Sequence, residues 1–111
     1  MSHEKLMVYR ELLSVAEDAA KRVATWPRGY GFLRDQLMRA LASAILTVAE
    51  GNGKRSSKRE RRRFFEMSMG SIAEVAACLD LARVYRLMRP TEVELFKSRL
   101  RKGYVMVSAL P

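Results

Sequence analysis

The residues with the clearest chemical potential lie between positions 54 and 63, where basic side chains crowd together. Seven bases face a single acid, Glu60, so this stretch carries +6 of the chain's net charge of +9. The seven bases are Lys54, Arg55, Lys58, Arg59, Arg61, Arg62 and Arg63. Because arginine forms paired hydrogen bonds with phosphate, we predict that this basic cluster contacts a nucleic-acid backbone. The alternative interpretation is a solvated face that keeps the protein soluble.

The position of the basic cluster also bears on its chemistry. Ser57 and Glu60 fit a capping box, so a helix should begin here, and its macrodipole disfavours cations at that end. A docked anion would meet both the side chains and free backbone amides. No aromatic residue lies between the basic residues of the cluster. Stacking on the nucleobases of a single strand therefore gains no support. We expect binding that is salt-sensitive and largely independent of sequence. Further bases on the last helix could extend it: Lys97, Arg99, Arg101 and Lys102.

Residue types that perform catalysis are missing from the sequence in useful combinations. The single histidine, His3, lies at the chain start, which removes a Ser-His-Asp or Cys-His site and a di-iron site with Glu-x-x-His pairs. The single cysteine, Cys78, lies in an apolar helical pattern and is expected to be a buried, inert thiol. Gly51-Asn-Gly53 is too short for a phosphate-binding loop. The sequence predicts a protein that is not an enzyme and has no metal or cofactor.

Four polar residues lie among apolar neighbours in the predicted helices. They are Gln36, Arg39, Glu50 and Glu74. Buried charges need partners, so we expect a structural polar network that pairs across the bundle or across a subunit boundary. The alternative is an active-site carboxylate.

Composition favours one all-helical domain over residues 1–111. Apolar residues make up 49% of the chain, which opposes disorder, and good helix formers dominate. A pI of about 10.3 predicts an anionic partner, most often nucleic acid. The opening residues lack the apolar run of a signal peptide, and no stretch approaches the length of a membrane span. We therefore expect a cytoplasmic protein without a membrane partner.

Hydrophobic spacing predicts four helices, over 4–25, from the turn at 28–31 to about 50, from 57 to about 88, and from 90 onwards. Short connections favour an antiparallel, up-down-up-down four-helix bundle. We expect the first helix to bury Leu6, Tyr9, Leu13, Ala16, Ala20 and Val23. Gly51 and Gly53 should end the second helix in a left-handed conformation, and Gly70 should allow a neighbouring helix to approach closely. Thr91 and Glu94 should cap the fourth helix.

The second helix is apolar nearly all round between positions 40 and 49, where Ser43 and Thr47 are the polar residues. Such a helix is buried on more than one side. In a short chain, other subunits or a protein partner would supply part of that cover.

An ordered set of motifs gives the chain a family resemblance. It comprises Gln36-x-x-Arg39-Ala40-x-x-Ser43, Ala49-Glu50-Gly51-x-Gly53, Arg63-Phe64 and Gly70-Ser71-x-x-Glu74. The set resembles the four-helix-bundle proteins of the 23S rRNA intervening-sequence family, and accessory variability determinants of diversity-generating retroelements are similar to them. The resemblance implies a ring-shaped homopentamer with a basic surface. For the retroelement relatives it also implies binding to a reverse transcriptase and to nucleic acid.

Overall fold

A computed structural model describes residues 2–53 and 57–111 of the chain. Those residues form four α-helices and no strand, which confirms the all-helical prediction. The helices are α1 (His3–Val23), α2 (Gly31–Asn52), α3 (Lys58–Val84) and α4 (Pro90–Ser108).

The four helices pack as an antiparallel bundle of 46 × 22 × 18 Å. Each helix contacts the two that lie beside it in a closed cycle, and the contact between α2 and α3 is the most extensive. This is the up-down-up-down arrangement that the short connections predicted. The loops 24–30 and 85–89 lie at one end of the bundle, because Arg22 near the end of α1 contacts Glu92 at the start of α4. The N-terminus of α3 lies at the opposite end.

The buried face of α1 differs from the predicted one. The buried residues are Val8, Leu12, Val15, Ala19 and Val23, whereas Leu13 and Ala20 are exposed. Both rows have helical spacing, so periodicity alone does not separate them. Packing against α4 selects the row that contains Val8, Leu12 and Val15. A Cβ on Gly103 would lie 3.0 Å from Leu12 Cδ2, so the missing side chain of Gly103 makes room for Leu12.

The end of α2 also differs from expectation. Gly51 lies inside the helix, and the cap residue Gly53 has a φ of −78°, so the predicted left-handed ending is wrong. The reason Gly51 suits its position is steric. A Cβ there would lie 2.7 Å from Phe65 Cε1 and 3.2 Å from Phe64 Cβ, so glycine allows α3 to approach α2 closely.

Two further predictions about α3 and α4 are wrong. Gly70 is exposed, and no atom within the described part of the chain would lie within 4 Å of a Cβ there, so it allows no close approach between these helices. The start of α4 is capped two residues earlier than expected, since Arg89 is the cap residue and the Glu92 carboxylate accepts from its backbone N–H at 3.1 Å. Proline at the first helical position fixes φ there and explains the earlier start.

Among the described residues, no helix combines the length and the apolar character needed to cross a membrane.

Candidate nucleic-acid interface

The start of α3 determines how the basic cluster is displayed. The Ser57 hydroxyl accepts a hydrogen bond from the Glu60 backbone N–H at 3.1 Å, as the predicted cap requires. The helix therefore begins at Lys58, and the bases that follow project from its first two turns. Lys54 and Arg55 lie outside the described residues.

Three bases of the cluster are exposed on the surface of α3: Lys58, Arg59 and Arg63. The Arg63 guanidinium lies over the Phe64 ring, 5.2 Å from its centroid, which orients the side chain without neutralising it. In the described parts of the chain, none of the three forms an ion pair. Among the described members of the cluster, these three are the ones whose charge is available to an anion.

Two other members of the cluster have structural contacts. Arg62 donates to the Ser108 backbone carbonyl at 3.3 Å, and its Nε lies 3.5 Å from a Glu66 carboxylate oxygen. It thereby satisfies a carbonyl at the C-terminus of α4 and joins α3 to α4. Arg61 is half-buried and is not a free charge. The seven predicted bases are therefore not equivalent.

An open cleft of about 610 Å³ lies against this part of α3. Its lining residues are Ser57, Arg59, Glu60, Arg62, Arg63 and Glu66. Three arginines outnumber two glutamates, so the cleft attracts anions weakly rather than strongly. A phosphate group can meet guanidinium donors here while its other oxygens remain in water. This geometry suits an extended polyanion that touches the surface at several points.

The four bases of α4 do not form one face. Lys97 pairs with Asp80 of α3 at 2.9 Å, and Arg99 pairs with Asp18 of α1 at 2.7 Å. Arg101 and Lys102 are more exposed, and each lies 3.8 Å from a carboxylate oxygen, of Glu94 and Glu11 respectively. Lys97 and Arg99 join helices on opposite sides of α4. Arg101 and Lys102 have the looser contacts and retain more of their charge for a partner.

The four predicted network residues are exposed in the single chain. Gln36 donates to the Glu74 carboxylate at 2.6 Å, which joins α2 to α3 on their outer face. Arg39 and Glu50 lie on the outer face of α2, at its middle and at its end. Nearby, the Ser71 hydroxyl donates to the Ser43 hydroxyl at 2.9 Å. The network is thus formed in part, at a surface rather than in a core.

Comparison with known families identifies the origin of this bundle. The family model described as 23S rRNA-intervening sequence protein matches residues 4–109. That match spans all four helices. The chain belongs to the 23S rRNA-intervening sequence protein family. A search of curated proteins finds no match to it.

The family motifs of this chain fall mainly on the α2–α3 hairpin. Gly51 lies where α2 packs closely against Phe65 of α3, and the Ser71 hydroxyl of a second motif donates to the Ser43 hydroxyl at 2.9 Å. The Gln36–Glu74 pair lies further along the same hairpin. These positions hold α2 and α3 together, so the motifs report on the fold more than on a ligand site.

A second group of arginines does not stand out in the sequence. Arg83, Arg86 and Arg89 lie at the other end of α3, beside a second cleft of about 550 Å³. Their spacing of three residues is the available signal, but the sequence predicts Arg83 and Arg86 to lie on a helix that continues to position 88. Arg86 has a φ of 61° and lies beyond the end of α3, so helical periodicity does not apply to it.

The side chains suited to nucleophilic or metal chemistry are separated. Burial, together with the nearby Glu74 charge, raises the pKa of the Cys78 thiol, which opposes thiolate formation. Across the described ranges, His, Cys, Asp and Glu side chains form no group of three that could hold a metal ion.

Proposed function

We propose that this member of the 23S rRNA-intervening sequence protein family is a non-enzymatic, oligomeric bundle in the cytoplasm that binds the phosphate backbone of RNA or DNA. The observation that carries the proposal is the exposed group Lys58, Arg59 and Arg63 at the start of α3, none of which forms an ion pair with a described residue. Binding through such charges is largely independent of sequence. The family description refers to 23S rRNA, which makes structured RNA the first ligand to test.

The location of these basic residues supports a role in binding an anion, and not only in keeping the protein soluble. Lys58 and Arg59 lie in the first turn of α3, where the macrodipole disfavours cations, typically by about 0.3–1 kcal/mol each at low salt. A solvated face could place its charges elsewhere on the bundle at no such cost. A bound phosphate reverses the sign of the dipole interaction and also accepts from free backbone amides.

Self-association is the second part of the proposal. Leu46 is 65% exposed on α2 and Met67 is 48% exposed on α3, and both lie on the outer face of the hairpin. Burying this apolar surface against a second copy would lower its free energy in water. The resemblance described above implies a ring of five subunits. Copies of the basic cluster repeated around a ring would multiply weak contacts with one nucleic acid.

The test of binding uses two variants that each remove three positive charges. The cluster variant carries Lys58→Gln, Arg59→Gln and Arg63→Gln. The control variant carries Lys5→Gln, Arg10→Gln and Lys21→Gln, all on α1. At low salt, the cluster variant should bind a duplex at least about tenfold more weakly than the wild type, while the control changes little.

An equal loss of affinity in both variants would mean that binding depends only on the net charge of the protein. That result would contradict a defined interface. Failure of the wild-type protein to bind either RNA or DNA would overturn the proposal.

A protein-adaptor function is the second candidate, and the exposed Leu46 and Met67 surface favours it. In this alternative the bundle binds a partner such as a reverse transcriptase, as the retroelement relatives imply by resemblance. A Leu46→Glu variant distinguishes the two functions. An adaptor would lose its protein partner, whereas the contacts of the basic cluster with nucleic acid would persist for each subunit.

A further inference from the structure

The end of the bundle opposite the basic cluster presents its own concentration of positive charge. A cleft of about 550 Å³ lies where the loop 85–89 meets the start of α4. Arg83, Arg86 and Arg89 line it, together with Leu87, Met88 and Pro90. All three arginines are exposed. They lie at one end of α3, whose 27 residues span roughly 40 Å, so this site is separate from the basic cluster.

The carboxylate in this cleft already accepts hydrogen bonds from the protein itself. Glu92 accepts from the Arg22 guanidinium at 2.7 and 3.1 Å and from the Arg89 backbone N–H at 3.1 Å. Arg22 also donates to the Leu87 carbonyl at 3.1 Å. Throughout the described residues, none of Arg83, Arg86 and Arg89 forms an ion pair. The cleft therefore presents three guanidinium groups that lack a compensating carboxylate.

The backbone of Arg86 is the second observation. Its φ of 61° lies in the left-handed region, which favours glycine. The Leu87 N–H donates to the Ala82 carbonyl at 2.8 Å, and the Arg86 N–H donates to the Arg83 carbonyl at 3.0 Å. This is a Schellman motif in which arginine occupies the usual glycine position. An unfavourable backbone conformation kept for a long basic side chain is a reason to look for a ligand.

An aromatic group at the same end is the third observation. The rings of Tyr30, Phe32 and Tyr85 lie with centroids 5.8–6.3 Å apart. Phe32 is 61% exposed and Tyr85 is 41% exposed, and Tyr85 directly precedes Arg86 in the chain. Exposed Arg28 lies in the loop just before Tyr30. The aromatic group and the three arginines thus lie at the same end of the bundle, where Tyr85 and Arg86 are neighbours in the chain.

We infer that this end of the bundle binds unpaired nucleotides of a single-stranded nucleic acid. Phosphates contact Arg83, Arg86 and Arg89, and bases stack on exposed Phe32 and Tyr85. Single-strand sites combine these two elements, because every base offers a stacking face and every nucleotide a phosphate. A duplex hides its base faces and would leave the aromatic surface unused. The inference rests on the proposed nucleic-acid-binding function, but its residues differ from those of the basic cluster.

The test compares three ligands by fluorescence anisotropy: a mixed-sequence single strand of about 12 nucleotides, an abasic strand of equal length, and a duplex. The abasic strand keeps the phosphates and lacks the bases. The wild type should bind the intact strand at least about fivefold more tightly than the abasic one. A Phe32→Ala, Tyr85→Ala variant should bind both strands equally and should keep its affinity for the duplex.

The arginine contribution is tested with Arg83→Gln, Arg89→Gln against the charge-matched Arg10→Gln, Lys21→Gln. The first variant should bind both single strands several-fold more weakly, and the second should match the wild type. Arg86→Gly adds a separate readout. Relief of the left-handed arginine should raise the unfolding midpoint by roughly 2–6 °C while single-strand affinity falls. A structural role for the Arg86 side chain would lower both.

Several outcomes would overturn the inference. Equal wild-type affinity for intact and abasic strands would remove the stacking contribution, and unchanged binding by the arginine variant would remove the phosphate contact. If duplex binding depends on the basic cluster while these variants behave as wild type, this inference fails and the proposed function stands. If the protein binds none of the three ligands, both fail.

Discussion

One carboxylate, that of Glu92, joins three elements of the bundle. It accepts two hydrogen bonds from Arg22 of α1, and it caps α4 through the Arg89 N–H next to the loop 85–89. The side-chain hydrogen bond from Arg22, with the backbone hydrogen bond from Arg89, lowers the pKa of Glu92 from 4.5 to about 2. All of these contacts favour the ionised form, so Glu92 links the stability of the bundle to pH.

We predict that Glu92→Gln lowers the free energy of unfolding at pH 7 by about 1 kcal/mol, because the pair is partly exposed to solvent. The folded-state pKa lies below the unfolded value, so the contribution is present above pH 4.5 and disappears as the pH falls towards 2. Chemical denaturation of both proteins at pH 7, 4 and 2.5 measures the difference.

Glu94→Gln provides the control for that series, since Glu94 is exposed and lies 3.8 Å from Arg101. Its effect should stay within about 0.5 kcal/mol at every pH. A difference between wild type and Glu92→Gln that is the same at pH 7 and 2.5 would contradict the assigned role of the carboxylate.

The α2–α3 hairpin is the element whose packing depends most on a missing side chain. Gly51→Ala should destabilise the protein by about 1–2 kcal/mol, because the new methyl group would lie 2.7 Å from the Phe65 ring. Gly70→Ala should stabilise it by up to about 1 kcal/mol, because the position is helical and open. Thermal unfolding of both variants beside the wild type measures the two changes.

The two substitutions are expected to change stability in opposite directions, so each result tests a separate feature. If Gly51→Ala were neutral, the close approach of α2 and α3 at that point would be contradicted. If Gly70→Ala destabilised the protein, something would have to pack on Gly70, and a second copy of the chain would be the first candidate.

The helices themselves could be predicted from the sequence, but their orientation could not always be. The Val8, Leu12, Val15 row of α1 and the row through Leu13 and Ala20 have the same period, so the choice between them depends on what α4 presents. Gly103, about 90 residues later, leaves the space that Leu12 fills. Likewise, the end of α3 at Val84 depends on the left-handed turn at Arg86, a residue type that does not signal such a turn.

The proposed oligomer should bury the exposed surface of the α2–α3 hairpin. Leu46→Glu places a charge on that surface and should convert the wild-type oligomer to a smaller species at micromolar concentration. Leu95→Glu is the matched control, since Leu95 is 69% exposed on α4. Sedimentation velocity should show an unchanged oligomer for that control. A wild-type monomer, or equal dissociation of both variants, would contradict assembly through α2 and α3.

The existence of the basic cluster could be predicted from the sequence. Which of the basic side chains form contacts within the bundle could not. Arg62 donates a hydrogen bond to the Ser108 carbonyl, 46 residues away along the chain. Lys97 and Arg99 form ion pairs with carboxylates of other helices. Only the packed bundle separates such bases from Lys58, Arg59 and Arg63. The arginines and aromatic residues at the other end come from the ends of α2 and α3 and from the loops beside them, so no local pattern predicts them as one site.

The salt dependence of duplex binding tests the central claim most directly. The logarithm of the binding constant should fall linearly with the logarithm of the salt concentration, by about 0.9 for each phosphate contact. The cluster variant, Lys58→Gln, Arg59→Gln, Arg63→Gln, should show a slope that is shallower by about 2.7, for three lost contacts. The α1 control variant should keep the wild-type slope. Equal slopes for all three proteins would contradict an interface at the start of α3.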